Sequence, residues 1–354
     1  MSLPFTSAPD SLCILRLSAV GDICHALPVV RTLQAYWPHT QLCWIIGKTE
    51  ATLVGDIPGI EFIVFDKSRG LHAYNDIRQQ LRARRFDALL HMQMSLRSSL
   101  INRLINTPLR IGFDRARAKD LQWLFTNAQI PAHPQQHVLE SLFGFTEALG
   151  IQERKLTWDI PIAAEDRQQA ETLLPGDAAT LIISPCSSMS YRNWHSAGYA
   201  AMCDYAAQTH GLRVALTGGP GRIEREMGEQ IVQQCRTPPL NLIGKTTLKQ
   251  LLALLDKALL VISPDSGPAH MATAVNTPVI GLYACTNPDR ARPYLSEELV
   301  IDKYHEAVRE KFGKDASELP WGIRVRDAGT MERITVQDVT AKLDQFLQHV
   351  NAKE

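Results

Sequence analysis

Short apolar runs, each closed by a turn and followed by a segment with helical spacing, recur in both halves of this chain. They restrict it to an α/β fold. Residues 12–17, Leu-Cys-Ile-Leu-Arg-Leu, read as a buried strand, and residues 18–22 as the turn after it. Residues 23–37 carry Ala26, Val30, Leu33 and Trp37 at three- to four-residue intervals and predict a helix. Pro28 lies inside it and predicts a kink. Strands are predicted at 41–46, 61–65 and 88–92, with a helix near 74–84. The second half repeats the scheme. Strands at 180–183, 212–216, 240–243, 259–262 and 278–283 alternate with helices at 197–210, 223–235, 247–258 and 268–275. Strand–helix–strand repetition requires parallel strands with crossover helices, and a doubly wound sheet binds its ligand beyond the carboxyl ends of its strands.

The chain has 354 residues, more than one hydrophobic core usually holds. Two domains are expected, at 1–163 and 164–334. An amphipathic C-terminal helix within 335–354 has the option of packing back on the first. Lys+Arg and Asp+Glu both total 37, so no global positive field exists to recruit nucleic acid. The seven cysteines lack a CxxC pair and several fall in apolar runs, which predicts buried free thiols rather than a disulfide framework or zinc site. The first ten residues lack a basic and an apolar region of signal-peptide type, and no run approaches transmembrane length. A cytoplasmic protein is expected.

Four segments carry candidate chemistry. In Ser18-Ala-Val-Gly-Asp22, Gly21 permits close backbone approach, and Asp22 is either an ordinary capping residue or a carboxylate that deprotonates a hydroxyl. His25, one turn on, reads as structural or as lining the same cleft. In the loop 184–194, Ser187, Ser188, Ser190 and Arg192 offer hydroxyls, backbone N–H groups and a fork-shaped cation suited to a diphosphate. The glycine-rich strand end 217–221 matches neither a GxGxxG fingerprint nor a P-loop. In Pro264-Asp-Ser-Gly-Pro-Ala-His270, Asp265, Ser266 and Gly267 form a turn, Pro268 suits the first helical position, and the helix N-terminus favours an anion. Arg82, Arg84, Arg85, Arg97, Arg103, Arg110, Arg115, Arg117 and Lys119 are either a solvated face or a surface for an acidic acceptor. GxSxG, HExxH and a metal-holding DxD pair are absent from the sequence.

The chain resembles glycosyltransferase family 9, the ADP-heptose:lipopolysaccharide heptosyltransferases. The resemblance rests on residues 15–22 with His25-Ala-Leu-Pro28, on 187–194, and on Asp265-Ser-Gly-Pro-Ala-His270 with Ala272. It implies a GT-B fold, two Rossmann-like doubly wound domains facing a central cleft. The acceptor would lie on the first domain and the donor on the second. It implies inverting transfer of heptose from ADP-heptose to the Kdo-lipid A inner core, without metal or cofactor, at the inner membrane surface. Asp22 matches the general base. Ser187, Ser188 and Arg192 match the positions that hold the donor phosphates and sugar, where the family often has Thr and Lys. Asp265, Ser266, Gly267 and His270 match the diphosphate and heptose site, Thr246 the adenine contact, and Glu224, with a one-residue shift, the ribose-binding acid. Gly21, His25, Arg97, Arg115 and Arg117 would meet the acceptor, whose Kdo carboxylates and phosphates suit arginine. Residues 15–26 look like the branch that adds the first heptose. Another nucleotide-sugar transferase or epimerase, or a non-catalytic sugar-binding protein, is the alternative.

Overall fold

The computed structural model describes residues 4–352. Residues 1–3, part of the segment read for a signal sequence, and residues 353–354 lie outside the described residues. The chain forms two compact units, Met1–Pro161 and Ile162–Glu354.

The first unit contains β1 (Ser11–Leu15), β2 (Gln41–Gly47), β3 (Ile60–Phe65), β4 (Ala88–His91), β5 (Leu109–Gly112) and β6 (Ala128–Gln129) in the order β3-β2-β1-β4-β5-β6. The second contains β7 (Thr180–Ile183), β8 (Arg213–Leu216), β9 (Leu240–Asn241), β10 (Leu260–Pro264), β11 (Val279–Tyr283) and β12 (Val300–Asp302) in the order β12-β11-β10-β7-β8-β9. All pairings are parallel. Leu12, Cys13, Ile14 and Leu15 are fully buried, as are Leu181, Ile182 and Ile183. Helices cover both sheet faces, so these strands read as continuous apolar runs, not alternating ones. In each unit the winding reverses beside the first strand, between β1 and β4 and between β7 and β10. Such switch points open the crevice in which doubly wound sheets bind ligands.

The first helix, Val20–Tyr36, continues through Pro28. Proline supplies no N–H to the Cys24 carbonyl one turn back. The Trp158 indole Nε1 donates to that carbonyl instead, at 2.8 Å, and Thr32 Oγ1 donates to the Pro28 carbonyl at 2.8 Å. The final helix, Val336–Asn351, packs on the helix Ser196–His210 and on β11 and β12 of its own unit. Its Val339 and Leu343 join that unit's core, and Asp344 accepts from Tyr205 Oη at 2.9 Å and meets His210 Nε2 at 2.8 Å. All seven cysteines are free thiols, six of them buried. Among the described residues no helix is long and apolar enough to cross a membrane.

Candidate active site

At the β1–β4 switch point the chain leaves β1 through Arg16, Leu17, Ser18 and Ala19. Gln93, just beyond β4, fastens this turn. Its Oε1 accepts from Leu17 N at 2.6 Å and Ser18 N at 3.3 Å, and its Nε2 donates to Ser18 Oγ at 3.2 Å. Asp22 lies in the first helical turn, three residues after the N-cap Ala19, rather than at the cap itself. Its carboxylate accepts from Ala19 N at 3.1 Å and pairs with Arg16 Nη2 at 2.8 Å. Arg16 is buried, and its Nη1 donates to the Met92 carbonyl. The Asp22 side chain remains 40% exposed, so a fixed carboxylate stays open to solvent at the carboxyl end of β1. Glu50, in the first turn of the helix Lys48–Val54 that follows β2, is a second buried carboxyl nearby. Burial raises it above the ordinary range, more than Lys67 lowers it. Sequence reasoning missed Arg16 and Glu50. The signal for Arg16 was a single cation at the end of an apolar run.

At the β7–β10 switch point, Arg192 Nη1 meets Asp265 Oδ2 at 3.0 Å and donates to the Asp265 carbonyl at 3.2 Å. His270 Nε2 lies 3.8 Å from Asp265 Oδ1. Burial alone would raise the Asp265 carboxyl, but His270, Arg192 and Thr286 outweigh it and hold it below the usual carboxylate range. Ser266 is the N-cap of the helix Gly267–Ala274, with Pro268 in its first turn. The Ser266 hydroxyl makes no cap hydrogen bond. It lies 2.7 Å from Ser263 Oγ, which donates to the Ser184 carbonyl at 3.1 Å. The helix start therefore lacks a side-chain acceptor and keeps its N–H groups for an anion.

The remaining donor candidates flank this point. Ser187 is committed to its own loop: its N–H donates to Asn193 Oδ1 at 2.7 Å and its hydroxyl to the Met189 carbonyl at 3.0 Å. Ser188 is exposed. Glu224 lies in the first turn of the helix Arg222–Gln234 and accepts from Gly219 N. A β-carbon on Gly218 would stand 2.6 Å from Glu224 Oε2, so a larger residue there would displace that carboxylate. Thr246 is partly exposed, just past β9. The structure thus brings Ser187, Ser188, Arg192, Glu224, Thr246, Asp265, Ser266, Gly267 and His270 to one end of one sheet.

The acceptor candidates follow the carboxyl ends of β1, β4 and β5 of the other sheet but differ in exposure. Gly21 is buried in the helix start, and His25 is buried with its ring 5.3 Å from that of His137. Arg97 is exposed on the helix Leu96–Asn102, and Arg115 is exposed over the Trp123 ring at 4.5 Å. Arg117, also read as an acceptor contact, is half-buried and bonded within its own unit. Its Nε pairs with Asp114, its Nη1 donates to Gln136 Oε1 and Ser141 Oγ, and its Nη2 donates to the Pro131 carbonyl. With every nitrogen engaged, this guanidinium holds the connection to the helix Val138–Ala148. Arg110 is likewise internal, bonded to Asn102 and to the carbonyls of Ile105 and Thr107. Among the described residues no group of three or more His, Cys, Asp or Glu is placed to hold a metal ion.

Two Rossmann-like units of six parallel strands in one chain are the architecture of GT-B glycosyltransferases. Solved structures agree in fold. The family 9 glycosyltransferase of Veillonella parvula superposes with a TM-score of 0.79 at 21% identity, over 96% of this chain and 97% of that one. The ADP-heptose lipopolysaccharide heptosyltransferase II of Escherichia coli gives 0.73 at 19% identity, over 96% and 99%. The family model of glycosyltransferase family 9 (heptosyltransferase) matches residues 75–332. The lipopolysaccharide core heptosyltransferase OpsX of Haemophilus influenzae is 43% identical over 342 residues, 97% of this chain and 98% of the relative. The chain belongs to glycosyltransferase family 9.

Proposed function

We propose that the protein transfers heptose from ADP-heptose to Kdo-lipid A, with inversion and without a metal, at the cytoplasmic face of the inner membrane. The observation that carries the reading is the pair of switch points in a family 9 chain. One presents an open carboxylate, Asp22, and the other an uncapped helix start beside Arg192, Asp265 and His270. The names of the relatives support the substrates. One is a lipopolysaccharide core heptosyltransferase, and another is an ADP-heptose lipopolysaccharide heptosyltransferase.

In this reading Asp22 takes the proton of an acceptor hydroxyl. The hydroxyl oxygen forms a bond to the anomeric carbon while the bond to the diphosphate oxygen breaks. The electron pair leaves with ADP, and inversion follows from attack opposite the leaving group. The N–H groups of the Gly267–Ala274 helix start offset the charge that develops on the diphosphate. Exposed Leu96, Leu100, Leu121 and Leu124, interleaved with Arg97, Arg103, Arg115 and Lys119, supply a membrane-facing surface for a lipid-borne acceptor.

The test is ADP release on incubation with ADP-heptose and Kdo-lipid A. Turnover with Kdo-lipid A, and loss of it in Asp22→Ala, is the expected result. Turnover only on an acceptor that already carries heptose would move the enzyme to a later step. No ADP release from any truncated core would refute the assignment.

A further inference from the structure

Positive charge gathers around Tyr191, and the donor site described above uses only the Arg192 part of it. Tyr191 lies in the loop after β7. The guanidinium carbons of Arg326 and Arg192 lie 5.5 and 5.7 Å from its ring centre, and Arg324 Nη1 lies 3.4 Å from its hydroxyl. Arg324 arrives from far along the chain through an antiparallel bridge to Thr286, just beyond β11. The neighbouring Val325 N donates to the Cys285 carbonyl at 3.1 Å, and Cys285 Sγ lies 3.0 Å from the Tyr191 carbonyl oxygen. Three guanidiniums therefore share one aromatic side chain.

Their counter-charges are unequal. Arg192 is paired with Asp265. Among the described residues neither Arg324 nor Arg326 is in an ion pair, and the adjacent Asp327 is taken by Lys311. Two further donors are buried here without a partner. Arg192 Nε is one, and Asn287 Nδ2, next to Thr286 in a residue 3% exposed, is the other. Thr286 also faces Asp265, so this cluster adjoins the uncapped helix start. Buried donors without acceptors are costly, and like charges held together repel. A multiply charged anion relieves both.

We infer that Arg324 and Arg326, with Arg192 and Asn287, form an anion subsite that takes the terminal phosphate of the donor's diphosphate. This rests on the proposed function. The bond that breaks leaves its electron pair on that phosphate, so the leaving group gains a negative charge. Arg192, largely offset by Asp265, cannot supply the whole response. Arg324 and Arg326 are offset by no carboxylate in an ion pair among the described residues, and stacking on Tyr191 holds Arg326 in place.

The test is calorimetric titration of wild type, Arg324→Gln, Arg326→Gln and the double variant with ADP, AMP, UDP and UMP, at low and high salt. Wild type is expected to bind ADP more tightly than AMP. The double variant is expected to lose about 10- to 100-fold in ADP affinity, with little change for AMP and a shallower salt dependence. Arg324→Lys, which keeps the charge and the backbone bridge, is expected to recover part of the loss. A double variant that melts like wild type and binds ADP as tightly overturns the subsite. A loss confined to UDP against UMP keeps the subsite and overturns the ADP-donor reading. Equal binding of diphosphates and monophosphates by wild type overturns the subsite outright.

Discussion

Asp22 joins a structural task to a chemical one, and a single atom of difference separates them. Its carboxylate holds Ala19 N–H and the Arg16 guanidinium, and both contacts need only an acceptor oxygen. Asparagine keeps one such oxygen and the side-chain shape but cannot carry away a proton. Asp22→Asn is therefore expected to reduce the rate of ADP release by about 100- to 10,000-fold, the range for a lost general base. Calorimetry should find its ADP affinity unchanged, because the donor groups lie on the other unit. A variant with wild-type turnover would assign Asp22 to helix capping alone. Asp265 faces the opposite balance. It is buried with Arg192, so Asp265→Ala leaves an uncompensated cation in the interior, at a cost of about 3–5 kcal/mol. Its folded value lies below the unfolded carboxylate value of 3.8. The stability it contributes is thus complete above that value and disappears as pH falls through the lower folded one. Melting curves from pH 7 down to pH 3 should show Asp265→Ala destabilised at neutral pH and closer to wild type in acid. A constant gap across that range would rule out the charged pair as the source.

Among the elements, the end of β4 is pinned by a buried polar network that no periodic pattern announces. His91 Nε2 lies 3.1 Å from Ser98 Oγ, its Nδ1 faces Asn102 Nδ2 at 3.0 Å, and Gln122 Nε2 donates to its carbonyl at 2.8 Å. Burial keeps the ring neutral and lowers its value from 6.5 to about 3. Below pH 6.5 the unfolded chain binds a proton that the folded chain refuses, so stability falls as pH drops toward 3. At pH 5 the loss from this one residue is about 2 kcal/mol. Urea unfolding at pH 7 and pH 5 should show that loss in wild type and its absence in His91→Gln. The same region explains what the sequence hid. β5 and β6 span four and two residues, and polar anchors such as Arg110 and Asn127 position them instead of apolar runs. The second unit was legible from β7 to β11. β7, β10 and β11 are largely apolar runs, and Thr247 with Gln250 forms a capping box that marks one helix start in the sequence. β12 and the helices Ala164–Leu173 and Tyr304–Phe312 were not foreseen, because a three-residue strand and polar helices carry little apolar pattern. The site divides the same way. Asp22, Arg192 and Asp265 follow strand ends and could be read from their neighbours. Arg324 reaches Tyr191 only through a long-range antiparallel bridge, which no local pattern encodes.

For the whole molecule, a net charge of zero conceals an uneven surface. On the helix Leu96–Asn102 the buried side is Ser98, Ser99, Ile101 and Asn102, which turns Leu96, Arg97, Leu100 and the C-cap Arg103 outward. The connection after β5 adds exposed Arg115, Lys119, Leu121 and Leu124. The two segments are neighbours, since Asn102 Nδ2 donates to the Phe125 carbonyl at 3.0 Å and Arg103 lies 5.5 Å from the Phe125 ring centre. Four leucines here are 58%, 46%, 55% and 54% exposed, where isolated exposed leucines would be unremarked. Cations beside apolar side chains suit a bilayer surface carrying anionic lipid. Each cation contributes about 1 kcal/mol at such a surface, and each half-exposed leucine about the same on insertion. The protein is therefore expected to sediment with phosphatidylglycerol vesicles and not with phosphatidylcholine vesicles, and to be released by salt. Replacing the four leucines with serine is expected to weaken vesicle binding on the order of 100-fold or more. Turnover on a delipidated, water-soluble acceptor should be preserved, and turnover on vesicle-borne acceptor should fall with the binding. Wild-type sedimentation by the serine variant would place membrane contact elsewhere. Loss of turnover on the soluble acceptor would mean that these leucines serve the acceptor site itself.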